Sequence, residues 1–214
     1  MNPTNLFARR LLLSLTVSVL LGLLSGCNVA QPAQDDPTRY FVLSDPAAVP
    51  VPGPSAGGVR LGLRAVRVES YLRRREMVVR TGDNEVEFRD YRRWAESLDV
   101  ALPRVLRARL LQSPDVAQVS TEPFAVDQER DYDISVEVRR CEGLGGRSGH
   151  FGASFVAAFE VWTPGPNPRV IARKVFTAPD APWDGSDFDR LAALLSADAA
   201  ALGQEVIASL PPRT

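Results

Sequence analysis

The side chains best suited to covalent chemistry in the body of this chain are Cys141 and His150, which flank a glycine-rich run. Across a hairpin they could meet as a thiol–imidazole pair, the combination of a nucleophile and its base. His150 is the only histidine, so a multi-histidine zinc site is excluded and a catalytic triad has no spare members. The run Gly143–Gly149 is better explained as a flexible strand connection, since nothing else completes a catalytic site. We therefore predict no catalytic residue, no metal site and no enzymatic activity.

Cys27 carries a signal for chemistry of another kind, the covalent attachment of lipid. It ends the tetrapeptide Leu24–Cys27, in which a branched residue and two small residues precede the cysteine as in a bacterial lipobox. The apolar run Leu11–Leu24 before it follows two arginines; it is too short for a spanning helix but suits a signal peptide. We predict that residues 1–26 are a lipoprotein signal peptide that is removed, and that Cys27 carries lipid while no cofactor is bound. The alternative is a plain secretory peptide with an incidental cysteine.

The residue after the lipid cysteine, Asn28, predicts where the protein is anchored. In enterobacterial sorting an aspartate here tends to retain lipoproteins in the inner membrane, so Asn28 favours the periplasmic face of the outer membrane. Removal of the leader, with its two arginines, changes the net charge from −1 to −3, which creates no attractive field for nucleic acid. Cys141 is then the only other cysteine, so no internal disulfide can form and we expect a buried thiol.

The sequence after Cys27 divides into a short tether and one domain. Residues 27–38 lack periodicity and predict a tether, whereas residues 39–214 predict a single α+β domain with a surface loop at 45–58. Alternation of apolar and polar residues predicts strands at 40–43, 59–65, 77–80, 85–88, 116–121, 132–139, 153–161 and 170–177. Helical periodicity predicts one helix from Ser97 to about Gln112, and another that starts at a Ser186–Asp189 capping box and ends at Leu210. The order of elements predicts a mostly antiparallel sheet covered on one face by two helices.

Several residues in these elements allow two interpretations. Trp94 and Trp183 are either interface anchors or side chains that close the ends of the core. The basic run Arg73–Arg75 either contacts anionic lipid or an acidic partner, or is a solvated connection between strands. Within the first helix, Pro103 predicts a kink or a later start, and Arg109 interrupts the apolar stripe.

One stretch of the chain resembles the sequences of a known protein family. Residues 71–106, YLRRREMVVRTGDNEVEFRDYRRWAESLDVALPRVL, resemble the auxiliary lipoproteins of bacterial ABC-type and MCE-domain transport systems, the PqiC-like family. The shared parts are Tyr71-Leu72 with a following arginine, a hydrophobic strand that ends in Arg80, a hairpin, and Tyr91-x-x-Trp94 before the helix. The YFVL strand, the DYDISVEVRR strand and the alanine-rich last helix extend the likeness over nearly the whole mature chain. Arg73 departs from the pattern, where a smaller or acidic residue is expected.

The resemblance implies a role without catalysis. Members are similar in role to accessory subunits that help MCE proteins move lipids, or other hydrophobic molecules, between the inner and outer membranes. It implies an MCE-domain protein as direct partner and the ABC transporter complex as indirect partner, and a homo-oligomer would suit a symmetric partner. Tyr71, Arg74, Arg80 and Trp94 match family features, and we hypothesise that they shape a partner-binding surface or its supporting hairpin. The alternative function is an envelope lipoprotein that regulates a cell-wall enzyme or assists outer-membrane protein assembly.

Overall fold

The structure is a computed structural model that describes residues 35–44, 57–145 and 149–212. The predicted signal peptide, Cys27, most of the tether and most of the proline-rich loop lie outside the described residues. Residues Thr38–Thr214 form one compact unit. The cleavage and lipidation of the N-terminal segment therefore remain predictions.

Ten strands, a 3-10 turn and two α-helices make up the described part of the domain. The first half contains β1 Arg39–Phe41, β2 Val59–Leu63, β3 Arg67–Val68, the turn Ser70–Arg73, β4 Glu76–Gly82, β5 Glu85–Trp94 and α1 Leu98–Leu111. The second half contains β6 Val116–Thr121, β7 Tyr132–Gly145, β8 Phe151–Trp162, β9 Val170–Thr177, β10 Ala181–Pro182 and α2 Phe188–Ala208. Each predicted strand and helix is present, with ends that differ by a few residues.

Strand β7 is the centre of the sheet, and its pairings correct one prediction. The α+β class is confirmed, but the sheet is mixed rather than mostly antiparallel. Antiparallel pairs join β4 to β5, β7 to β8, and β8 to β9 and β10. Parallel pairs join β7 to β2, β3 and β4, and also β1 to β5 and β2 to β6. Alternation along a strand fixes which face each residue occupies, but it does not fix the neighbour of that strand.

The core lies between one face of the sheet and the two helices. Register places Val136 of β7 opposite Phe159 of β8, and Cys141 opposite Phe155, all on this inner face and all buried. Helix α2 is long and apolar enough to cross a membrane, yet it packs here as a core helix against the sheet and α1. Burial of this apolar surface is the main source of stability.

A contact between the two helices explains why Arg109 falls within the apolar stripe of α1. A Cβ atom on Gly203 of α2 would lie 2.8 Å from Cγ of Arg109, so only glycine leaves room for the aliphatic part of that arginine. The Arg109 guanidinium donates to Gln112 Oε1 at 2.7 Å. The stem therefore packs between the helices while the charged end stays at the edge of their contact.

The structure shows where the two helices begin and where the two tryptophans lie. Helix α2 is capped by Asp187, whose side chain accepts from the backbone amides of Asp189 and Arg190. The predicted cap at Ser186 is wrong by one residue, because the Asp187 carboxylate reaches two free amides. Helix α1 begins after Ser97 as predicted and continues through Pro103. Trp94 and Trp183 are 2% and 4% exposed, so both close the ends of the core.

Candidate functional site

The outer face of the sheet, away from the helices, carries three of the four predicted partner-binding residues. Tyr71 belongs to the 3-10 turn, Arg74 follows that turn, and Arg80 lies on β4. The turn is held against the sheet by Leu72, which is 1% exposed, and by the Glu69 amide, which donates to the Val138 carbonyl at 3.1 Å. A short irregular segment is thereby fixed in place between β3 and β4.

Tyr71 and Arg80 converge on a buried acid that the sequence patterns did not single out, Glu142 of β7. Arg80 Nε donates to Glu142 Oε1 at 2.5 Å, and the Tyr71 hydroxyl donates to Glu142 Oε2 at 2.9 Å. The Tyr71 hydroxyl also lies 3.1 Å from the Arg139 carbonyl, and Arg80 Nη1 donates to the Asp83 carbonyl at 3.1 Å. The Glu142 side chain is fully buried and that of Arg80 is 17% exposed. Three elements, the turn, β4 and β7, are therefore joined through one carboxylate.

The electrostatics of this cluster follow from burial and from the negative charge of Glu142. Burial and the adjacent carboxylate raise the pKa of Tyr71 to about 12, so the phenol stays protonated as a donor. The hydrogen bond to Glu142 raises the pKa of the Arg80 guanidinium above its ordinary value. The arrangement contains a fixed cation, a fixed anion and a neutral hydroxyl, which is suited to holding geometry rather than to transferring protons.

Arg74 is the exposed member of the group. Its guanidinium carbon lies 4.8 Å from the centre of the Phe88 ring, on β5. Phe88 pairs in register with Val78, and Arg80 pairs with Val86, so Phe88 and Arg80 share the outer face of the hairpin. No described carboxylate forms an ion pair with Arg74. We refer to Tyr71, Arg74, Arg80 and Phe88 as the arginine–aromatic face.

Trp94 does not belong to this face. It pairs in register with Phe41, its indole is buried, and its backbone amide donates to the Arg75 carbonyl at 2.7 Å. Trp94 therefore fixes the end of β5 from inside the core. A part for Trp94 in partner binding stays a prediction, and the geometry limits it to support of the hairpin.

A second buried acid, Asp133, lies near the other end of β7. Its carboxylate accepts from Arg64 Nη2 and from Arg130 Nε, each at 2.8 Å, and its side chain is fully buried. The guanidinium of Arg130 lies 4.0 Å from the centre of the Phe124 ring. The Arg130 side chain is 14% exposed and is joined to the sheet by its ion pair with Asp133. Glu142 and Asp133 thus mark two places where arginine and aromatic side chains cover the outer face.

A trough of about 570 Å³ separates these two clusters on the outer face. Its lining mixes charges: Arg173 pairs with Glu160 at 2.6 Å, and Arg139 lies 3.7 Å from Glu137. Such a surface has the polar character of a protein contact or a wet groove rather than of an enclosed apolar cavity.

Cys141 and His150 are not brought together. Cys141 is 1% exposed on the helix-facing side of β7, and burial among apolar groups raises the pKa of its thiol far above the ordinary value. His150 is exposed and lines a separate groove with Arg80 and Arg140 on the other face of the sheet. The expected buried thiol is confirmed. The thiol–imidazole pair, which the sequence disfavoured, does not form, because Cys141 faces the helices whereas His150 lines the groove with Arg80 and Arg140.

Comparison with known proteins places this geometry in a family. The model of the ABC-type transport auxiliary lipoprotein component matches residues 41–207. The fold is similar to that of protein XCC0632 from Xanthomonas campestris, of family DUF330, with a TM-score of 0.62 and 19% identity over 79% of this chain and 93% of that one. The PelC dodecamer from Paraburkholderia phytofirmans gives a TM-score of 0.47 and 17% identity over 76% of this chain and 94% of that one.

A search of curated proteins gave no match. The family match spans most of the chain and includes strands β4 and β5 of the arginine–aromatic face, helix α1, and all of helix α2 except its last residue. The resemblance noted at residues 71–106 is thereby confirmed at the level of the family. The chain belongs to the family of ABC-type transport auxiliary lipoprotein components.

Proposed function

We propose that this protein is a periplasmic lipoprotein, anchored in the outer membrane through Cys27, that acts as a non-catalytic accessory subunit of an MCE/ABC-type intermembrane lipid transport system. Family membership supports a membrane-associated transport role in the envelope. The lipobox supports the anchor, and Asn28 supports the outer membrane. The separation of Cys141 from His150 favours a binding role over hydrolysis.

The observation that carries the proposal is the exposed Arg74 stacked at 4.8 Å on Phe88, above a rigid base. Arginine and aromatic side chains are enriched at protein interfaces because they combine apolar contact area with directional donors. Arg80, Glu142 and Tyr71 restrict movement of the hairpin beneath, so little conformational entropy is lost when a partner binds. The arginine–aromatic face is therefore our candidate for the docking surface.

The partner we propose is an MCE-domain protein, reached directly, with the ABC transporter complex contacted through it. Arg74 forms no ion pair with any described residue. Its guanidinium can therefore donate hydrogen bonds to an acidic or carbonyl-rich surface on the MCE-domain protein. A homo-oligomer of this chain remains part of the proposal, because a symmetric partner presents one equivalent docking position per protomer.

A charge reversal at the docking surface tests the proposal. Arg74→Glu should lower the recovery of the MCE-domain protein with the purified lipoprotein by at least tenfold, because it places a like charge where an acidic surface is expected. Arg169→Glu is the matched control, since Arg169 is also exposed but lies in the connection between β8 and β9. Equal recovery with both variants would show that the arginine–aromatic face is not the docking surface.

A further inference from the structure

A second exposed surface lies at the β1 edge of the sheet, where Arg75 follows Arg74 of the arginine–aromatic face. Tyr40 and Tyr91 are 57% and 54% exposed, and Val42 is 50% exposed. Tyr40 lies on the outer face, because its neighbour Phe41 pairs in register with Trp94 and both are buried; Tyr91 lies on the adjacent strand, two residues before Arg93, which is the register partner of Tyr40. We refer to Tyr40, Val42, Arg75 and Tyr91 as the tyrosine edge.

Arg75 supplies the charge of the tyrosine edge. Its guanidinium carbon lies 5.9 Å from the centre of the Tyr40 ring. Its Nε donates to the Trp94 carbonyl at 3.2 Å and its Nη2 donates to the Ala95 carbonyl. No described carboxylate pairs with it, so backbone carbonyls hold a full positive charge in place beside an exposed aromatic ring.

The chain enters the domain at this edge. Arg39, the first residue of β1, follows Cys27 by twelve residues. A fully extended segment of that length spans about 40 Å at most. A lipid on Cys27 therefore holds the first residue of β1 within about 40 Å of the membrane.

The composition of the edge matches the surface of a phospholipid bilayer. Tyrosine places an apolar ring and a hydroxyl at the boundary between acyl chains and headgroups. Arginine forms strong hydrogen bonds to phosphate, and each basic residue near an anionic surface gains favourable energy. A protein partner would have to compete with lipid that the anchor holds at high local concentration.

We propose that the tyrosine edge lies on the anionic phospholipid surface into which the lipid of Cys27 inserts. This inference rests on the lipid anchor in the proposed function and adds an orientation to it. The strand order β1, β5, β4, β7, β8, β9 then places β9 about 24 Å from the bilayer, at five strand spacings. The domain then contacts the bilayer through its β1 edge, and the hairpin of the arginine–aromatic face stays available for a protein partner.

The test uses the acylated full chain in vesicles of phosphatidylethanolamine and phosphatidylglycerol that contain a nitroxide on the lipid headgroup. A fluorophore is attached to Ala95→Cys, beside the tyrosine edge, or to Val175→Cys on β9, which is 59% exposed. The buried Cys141 does not compete for the label. We expect quenching at position 95 to be at least threefold stronger than at position 175.

Variants of the edge complete the test. Tyr40→Ser with Tyr91→Ser alters only exposed rings, and Arg75→Gln removes the charge while it keeps an amide donor; each should abolish the difference between the two labels. Equal quenching of both labels in vesicle-bound wild-type protein would overturn the orientation and leave the anchor intact. Protein that carries no lipid and leaves the vesicle fraction would contradict the anchor and the orientation together.

Discussion

Arg80 and Glu142 form an ion pair with 2.5 Å between Nε and Oε1 at the place where β4 meets β7. The parallel pairing of these strands is short, with Val79 opposite Gly143 and Arg80 opposite Leu144. Two buried charges with good geometry restrict the possible positions of the hairpin more than apolar contacts would. The pair therefore serves to hold the arginine–aromatic face at a fixed place on the sheet.

Removal of the arginine from the Arg80–Glu142 pair should lower the free energy of unfolding. Arg80→Met leaves the Glu142 charge buried without its cation, and we expect a loss of about 3 kcal/mol in the free energy of unfolding. The double variant with Glu142→Leu should lose much less than the sum of the single variants. Urea denaturation measures all three, with Arg139→Met as control, because Arg139 is 48% exposed. Additive losses would show that the two side chains do not interact.

Tyr71 should ionise well above the pH at which a phenol ordinarily ionises. Its pKa is raised from 10.0 to about 12, so the neutral phenol is favoured in the folded state. The stability that this adds is present below pH 10 and is lost as the pH rises towards 12. Titration by ultraviolet absorbance should show one phenolate that forms near pH 12 and is absent from Tyr71→Phe. Loss of a phenolate that forms near pH 10 rather than near pH 12 in Tyr71→Phe would contradict the raised pKa.

Asp198 of α2 lowers stability at neutral pH. It is 8% exposed, its Oδ2 has no hydrogen-bond partner among the described residues, and burial raises its pKa from 3.8 to about 6. The raised pKa favours the protonated form on folding, so stability falls as the pH rises from about 4 to about 6 and is constant above. The loss amounts to about 2–3 kcal/mol.

Asp198→Asn should therefore raise the free energy of unfolding at pH 7.5 and flatten its dependence on pH between 4 and 7. Denaturant titrations at several pH values measure this, with Asp180→Asn as the control because Asp180 is exposed. An Asp198→Asn protein that is less stable than wild type at pH 7.5 would mean that the carboxylate has a partner.

Gly62 of β2 should tolerate no side chain. A Cβ at this position would overlap Asp133 Oδ1 and lie 2.6 Å from Cδ of Arg130, and Asp133 is held by two arginines. We expect Gly62→Ala to lose about 2 kcal/mol of unfolding free energy, as other overpacked sites do. Gly82→Ala is the control, because the nearest atom to its Cβ would lie at 3.5 Å. Thermal unfolding of both variants measures the effect, and equal midpoints would contradict it.

The periodicity of apolar residues and the turn residues were sufficient to locate the strands and helices, but they did not show which strands pair with each other. The hairpin of β4 and β5 follows from its turn residues, and the stripe of α2 follows from the 3.6-residue period. The parallel pairs of β7 with β2, β3 and β4 join segments far apart in sequence, and no local pattern specifies them. The sheet was therefore expected to be more antiparallel than it is.

The candidate site was predictable in part for the same reason. Tyr71, Arg74 and Arg80 came from a resemblance to a family, and the structure adds their shared base, Glu142. Strand alternation was read as ending at Arg139, but a register shift between Val138 and Arg140 lets β7 continue to Gly145. That continuation places Glu142 under Arg80, which no pattern within β7 alone indicates.

The most direct test of the proposed function is to identify what the native protein binds. The acylated lipoprotein is purified from solubilised envelopes after mild crosslinking, and the associated proteins are identified by mass spectrometry. Our account predicts an MCE-domain protein together with its ABC permease. Recovery of a cell-wall synthase or an outer-membrane assembly factor in their place would contradict it.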